Sequence, residues 1–96
     1  FMSLPVLITR LTTLESLSLG DNQLTALPEA IGLLKSLTYL DLSYNQIRSL
    51  PEAIGLLKSL KTLNLEYNSS ISFPEPVINA LNELKKQGCR VEGYDV

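Results

Sequence analysis

The chain has 96 residues, 45% of them hydrophobic, with a net charge of −2, no histidine and a single cysteine, Cys89. That length bounds it to one domain, its slight acidic excess argues against a nucleic-acid partner, and no apolar run approaches the roughly 20 residues that span a bilayer. One cysteine allows no intrachain disulfide, which fits a reducing compartment or a bacterial protein that never relied on disulfides. No charged start leading into an apolar stretch reads as a signal peptide, though a processed, secreted chain would have lost one, so a cytoplasmic location is favoured and the compartment stays open.

The elements follow from a repeat. Leu27–Leu37 and Leu50–Leu60 carry the same eleven residues, 23 positions apart. The same offset joins Leu14, Leu37 and Leu60; Leu17, Leu40 and Leu63; Leu19, Leu42 and Leu65; and Asn22, Asn45 and Asn68. A fixed period of this size means stacked units that bury their apolar sides against one another. Function is then expected on a displayed surface and not in a catalytic pocket.

Phe1, Leu4, Pro5, Ile8 and Leu11 stand in register with Leu24, Leu27, Pro28, Ile31 and Leu34, so 1–13 reads as a partial repeat or an N-terminal lid. Two readings of the start remain open: Met2 as a native start with Phe1 added before it, or a cut from a longer array. Full repeats are expected over 14–36 and 37–59, with a third over 60–75.

In Leu37–Asn45, Leu40 and Leu42 alternate with Tyr39, Asp41 and Ser43, the period of a strand with its leucines inward. Pro51–Ser59 changes period: Ile54, Leu57 and Leu60 lie three apart, which suits a short helical or 3₁₀ return segment. Pro51 suits its first helical position, with Glu52 near the positive end and Lys58 near the negative end. Successive strands joined by crossovers form a parallel sheet, expected on the concave side of a curved stack. Asn22, Asn45 and Asn68 follow the strands where the chain turns, and their amides are expected to serve backbone groups of neighbouring turns. The glycosylation-like Asn68-Ser69-Ser70 is therefore read as coincidence.

The period then breaks: Ser70 stands where it expects isoleucine, and Ile71 comes one place late. Pro76 is predicted to open an amphipathic helix with Val77, Ile78, Leu81 and Leu84 on one face, Lys85 and Lys86 in its last turn and Gly88 as its stop. Cys89–Glu92 alternates as a final strand with Cys89 and Val91 inward, making 76–96 a C-terminal helix–strand cap. Cys89 is then a small buried hydrophobe and not a nucleophile. Strand 14–19 keeps an unpaired edge, through which weak self-association is expected, checkable by light scattering.

The pattern L-x-x-L-x-L-x-x-N-x-L/I-x-x-L-P-x-x-I-x-x-L resembles the leucine-rich repeat family, most closely the 23-residue type of bacterial proteins and of intracellular Ras-pathway scaffold proteins. The resemblance covers residues 1 to about 77. It implies an α/β fold, a right-handed β/α superhelix forming a short curved solenoid, used for protein recognition. Some bacterial effectors of the family carry a separate ligase domain, and nothing in these residues matches one.

Catalysis finds no support in the residues. There is no histidine for acid–base work, no metal-ligand cluster and no base beside Cys89. Gly32–Ser36 faintly resembles a phosphate loop but lacks the glycine before lysine. No cofactor and no metal are expected.

The outward strand positions form rows predicted as Ser16, Tyr39, Thr62; Ser18, Asp41, Asn64, Arg90; Gly20, Ser43, Glu66, Glu92; and Asp21, Tyr44, Tyr67. Three tyrosines thus stand among acids. Tyrosine supplies contact area at few rotors, and the acids outnumber Arg90, favouring a partner with basic residues. Tyr39, Asp41, Tyr44, Asn64, Glu66, Tyr67 and Arg90 are the predicted contacts to a protein or peptide. The plainer reading has Tyr44 and Tyr67 merely stacking across strands. On the convex side, Leu33 and Leu56 are apolar where the period requires nothing apolar, as ordinary exposed leucines, a second contact surface or a flank against another domain. The alternative function is a structural spacer or cap within a larger signalling or effector protein.

Overall fold

A computed structural model describes residues 13–68 and 73–94. Four short strands, β1 (Ser16–Ser18), β2 (Tyr39–Asp41), β3 (Thr62–Asn64) and β4 (Arg90–Glu92), form one sheet in the order β1-β2-β3-β4, parallel throughout. Between β1 and β2 the chain returns through a 3₁₀ segment, Glu29–Leu33, and between β2 and β3 through its copy, Glu52–Leu56. Helix α1 (Glu75–Lys86) makes the last crossover. The result is the expected short α/β solenoid with a helix–strand end. The break at Ser70 and Ile71, the first twelve residues and the sequon serines lie outside the described residues.

The period works as a set of columns. Leu17 pairs with Leu40, and Leu40 with Leu63. Leu40 and Leu63 are fully buried, while Leu17 at the sheet edge keeps 9% of its surface. Leu24, Ile47, Ile31, Ile54, Leu34 and Leu57 extend the core, also at zero exposure. Burying one such side chain contributes about 1.5–3 kcal/mol before entropy is subtracted, and these columns gain it only because each unit covers the next.

Pro28 and Pro51 do not occupy first helical positions. Both are extended N-caps, with ψ of 152° and 151°. A residue before a helix needs no amide donor either, so proline's missing N–H costs nothing there. The return segments stop at Leu33 and Leu56, so Lys58 falls beyond the end and no basic side chain sits in the last turn. Five residues are fewer than two 3₁₀ turns, too few to carry the dipole pairing expected of Lys58. Gly32 allows the two segments to touch, because a Cβ there would lie 3.0 Å from the Ala53 carbonyl oxygen.

Helix α1 begins one residue before the predicted Pro76, with Pro74 as N-cap. It buries Val77, Leu81 and Leu84, with Ile78 and Ala80 half-buried. It seats on the preceding return segment as that segment seats on its neighbour: a Cβ on Gly55 would lie 3.2 Å from the Ala80 Cβ. The Gln87 side-chain amide donates to the Leu57 carbonyl at 2.9 Å. Gly88, at φ +97°, ends the helix, and the Arg90 amide joins the Lys61 carbonyl at 2.8 Å. The cap carries a clasp that the repeat pattern does not announce: Phe73 and Tyr94 meet with ring centroids 4.9 Å apart.

Cys89 is buried, and burial pushes its thiol from 9.0 to about 11 against a smaller opposing hydrogen bond from Leu63. A raised thiol pKa keeps the proton in the folded state, so its stabilising share is intact below pH 9 and is lost as pH rises toward about 11. At pH 8 the thiolate fraction falls about 100-fold relative to an unshifted thiol. A higher-pKa thiolate is the better nucleophile and offsets part of that factor, so we expect disulfide-exchange reagents to label the native protein at least about tenfold more slowly than the urea-unfolded chain at pH 8; equal rates would contradict the burial.

Candidate recognition face

The solvent side of the sheet is built by what each strand must do inward. With leucine at 17, 40 and 63 facing the core, the flanking positions face out. The register sets two rows, Ser16–Tyr39–Thr62–Arg90 and Ser18–Asp41–Asn64–Glu92. This corrects the predicted rows. Arg90 lies beside Thr62 in the Tyr39 row, and Glu92 takes the place beside Asn64 that Arg90 was expected to hold. The crossover through α1 gives an offset of 28 positions from Thr62 to Arg90, in place of 23. Both residues stay on the outer face because a slip of two preserves the side. Arg90 is largely exposed and reaches Glu92 at 3.5 Å, a surface pair of small energetic worth.

The third predicted row also changes. Ser43 is buried, its amide and hydroxyl both donating to Asp41 Oδ1 at 2.9 and 2.7 Å. One repeat on, the Glu66 amide donates to Asn64 Oδ1 at 3.0 Å. Asp41 and Asn64 thus close the turns that follow their strands, the local use that short polar side chains make of nearby amides. Their placement on the face and their structural duty coincide.

Past these turns lies the asparagine ladder. Asn45 Oδ1 accepts from the Asn22 and Leu24 amides at 3.0 and 2.9 Å. Its Nδ2 donates to the Leu19, Leu42 and Ser43 carbonyls at 2.9, 3.0 and 3.1 Å. Asn68 repeats the pattern toward Ile47, Leu42 and Leu65. The structural role read from the sequence is the observed one.

The ladder forces the residue before it into an unusual backbone. Asp21, Tyr44 and Tyr67 all have positive φ, at 62°, 56° and 60°. For a bulky L-residue this left-handed conformation costs roughly 1–2 kcal/mol. Tyr44 and Tyr67 are 57% and 67% exposed, and their rings stack with centroids 4.5 Å apart and planes 11° from parallel. The Tyr44 amide donates to the Glu66 carbonyl, and the Asp21 amide to the Ser43 carbonyl, both at 3.0 Å, so the three residues form one column across the repeats.

The seven predicted residues therefore spread over the face. Tyr44, Glu66 and Tyr67 share the rim past the strands' C-terminal ends, Asp41 and Asn64 sit in the middle, and Tyr39 and Arg90 lie at the opposite rim. Asp21 belongs to the tyrosine column, and its place at the same repeat offset is the signal that identifies it. Leu33 and Leu56 are exposed on the other side, at 57% and 49%. A shallow groove on α1 is lined by Asn79, Asn82, Glu83, Lys85 and Lys86. Among the described residues no three His, Cys, Asp or Glu side chains gather as a metal site, and no helix is long and apolar enough to cross a membrane.

The leucine rich repeat family matches residues 12–69. Among solved structures, a leucine-rich repeat protein of Leptospira interrogans is similar, with 41% identity and a TM-score of 0.81 over 95% of this chain and 22% of that one. The chain thus spans about a fifth of the length of that protein. No curated protein matches.

Proposed function

This chain belongs to the leucine-rich repeat family, and on that premise we propose that it binds a protein or peptide on the concave, strand-lined face. Domains of this family are typically non-enzymatic interaction scaffolds. Tyr39, Asp41, Tyr44, Asn64, Glu66, Tyr67 and Arg90 are the proposed contacts, with tyrosines as apolar anchors and acids selecting a partner that carries basic residues. The observation that carries this reading is the exposed Tyr44–Tyr67 stack, held in a backbone conformation that tyrosine disfavours. Aromatic area kept in water at a backbone cost is what a binding surface needs and a solubility surface does not.

The test uses peptides selected from a random display library against the whole chain. In the Tyr44→Ala/Tyr67→Ala variant their affinity is expected to fall at least about tenfold, roughly 1.4 kcal/mol, with the fold retained and stability lowered by only about 0.5–1.5 kcal/mol, the worth of the stack. Undiminished binding in a folded variant rejects this face. The second reading, a structural segment docked through its return side, draws on exposed Leu33 and Leu56. It is favoured if Leu33→Ser/Leu56→Ser abolishes binding and the tyrosine variant does not.

A further inference from the structure

Resting on the strand-face reading, we propose that the Asp21–Tyr44–Tyr67 column is a guanidinium site. An arginine of the partner lies flat on the open face of the Tyr44 ring and directs its donor fork at the Asp21 carboxylate.

The argument begins with the column. Three residues one repeat apart share a positive φ, and the Asp21 and Tyr44 amides each bond the carbonyl just before the next member, so neighbours stand one strand spacing apart, about 4.8 Å. Tyr67 covers one face of the Tyr44 ring, at 4.5 Å and nearly parallel. The other face is turned toward the position one repeat back. A third aromatic residue there would extend the stack. That position instead holds Asp21, exposed and with no side-chain partner among the described residues.

Planar aromatic surface on one side and a carboxylate on the other define what completes the column. The group must be flat enough to stack at ring spacing, positively charged, and able to donate two parallel hydrogen bonds. Guanidinium meets all three conditions, stacking on aromatic faces and pairing bidentately with carboxylates. An ammonium meets only the second in full, because its charge is compact, strongly hydrated and without a plane. The surroundings add the same sign: Asp41, Glu66 and Glu92 lie on this face, and Arg90, the one base of the predicted rows, sits at the far rim beside Glu92. The site therefore separates arginine from lysine, which a diffuse acidic surface does not.

The experiment titrates the full chain with the pentapeptides Gly-Gly-Arg-Gly-Gly, Gly-Gly-Lys-Gly-Gly and their citrulline counterpart, blocked at both ends, and reads the ring-proton resonances of Tyr44 and Tyr67. The arginine peptide is expected to shift the Tyr44 ring saturably, to bind at least about fivefold more tightly than the lysine peptide, and to lose that preference in Asp21→Asn. Asparagine tolerates positive φ, so this variant keeps the fold while removing the charge. Equal affinity for arginine and lysine, an unaffected Asp21→Asn, or no shift at Tyr44 each overturns the guanidinium site. Display-selected peptides separate this from the broader reading. Arginine-free binders that are lost in Tyr44→Ala/Tyr67→Ala but retained in Asp21→Asn leave the face standing and remove the arginine site. Binders indifferent to both variants remove the two together.

Discussion

Asn45→Ala is expected to lower stability by about 4 kcal/mol, read as a fall in the urea midpoint by circular dichroism at unchanged slope. Asn45 is 6% exposed, and its amide makes five hydrogen bonds to two successive turns. Truncation strands the amides of Asn22 and Leu24 and the carbonyl of Leu19 in a space that opens only as far as the missing side chain, while the Leu42 and Ser43 carbonyls lose one donor but keep those of Asn68 and Asp21. Each unsatisfied buried group costs about 1–3 kcal/mol, and partial access of water to the hole keeps the total below the sum. Domains of this size are stable by only about 5–15 kcal/mol, so most of the margin goes. Asn45→Asp separates the two halves of the amide. Its oxygens can still accept from Asn22 and Leu24, but the donors are gone and three carbonyls then face a carboxylate, so it should fare no better than alanine. A loss below about 1 kcal/mol in either variant would show that the ladder is ornamental to stability.

Gly93→Ala should detach β4, at a cost above about 3 kcal/mol, whereas Gly88→Ala should cost only about 1 kcal/mol. Both glycines have positive φ, +88° and +97°, so both substitutions meet the same backbone penalty. Their surroundings differ. A Cβ at Gly88 meets nothing within 4 Å, while at Gly93 it would lie 2.5 Å from the Glu66 nitrogen and 2.7 Å from the Leu65 carbonyl carbon. Those atoms belong to the backbone that follows β3 and cannot rotate away. Relief requires moving the chain at Gly93, which draws apart the Leu65 amide and Glu92 carbonyl now bonded at 2.8 Å, and pulls Tyr94 from Phe73. Overpacking of a closed site commonly costs about 1–3 kcal/mol, and the conformational term adds to it. Chemical denaturation of the two variants side by side measures the difference. If they match, the tight approach at Gly93 is not a constraint.

Much of the fold was legible because the repeat states its contacts twice. Leu17, Leu40 and Leu63 could be put in one column from spacing alone, and the asparagines could be given their duty because no other residue of that size both donates and accepts at a turn. The face was legible in sign but not in detail. Ser43 alternates as an outward residue, yet it is drawn in by Asp41, since a hydroxyl two residues on completes the carboxylate's hydrogen bonding. Tyr44 and Tyr67 could be paired by offset, but nothing in their letters announces positive φ, a conformation usually left to glycine, asparagine or aspartate.

What the residues determined by themselves is the stack: its period, its parallel sheet, its inward columns and the side each strand residue faces. These depend on short-range alternation and on leucine needing a neighbour, both local to the sequence. What only the tertiary structure decided is the sliding of β4. Alternation specifies the side of a strand, but a shift of two residues leaves the side unchanged, so hydrophobic pattern cannot choose between registers. The choice falls to long-range contacts: Ala80 against Gly55, Gln87 on the Leu57 carbonyl and Gly93 against Leu65 and Glu66. They set Arg90 beside Thr62 and Glu92 beside Asn64, and with them the distribution of charge on the face.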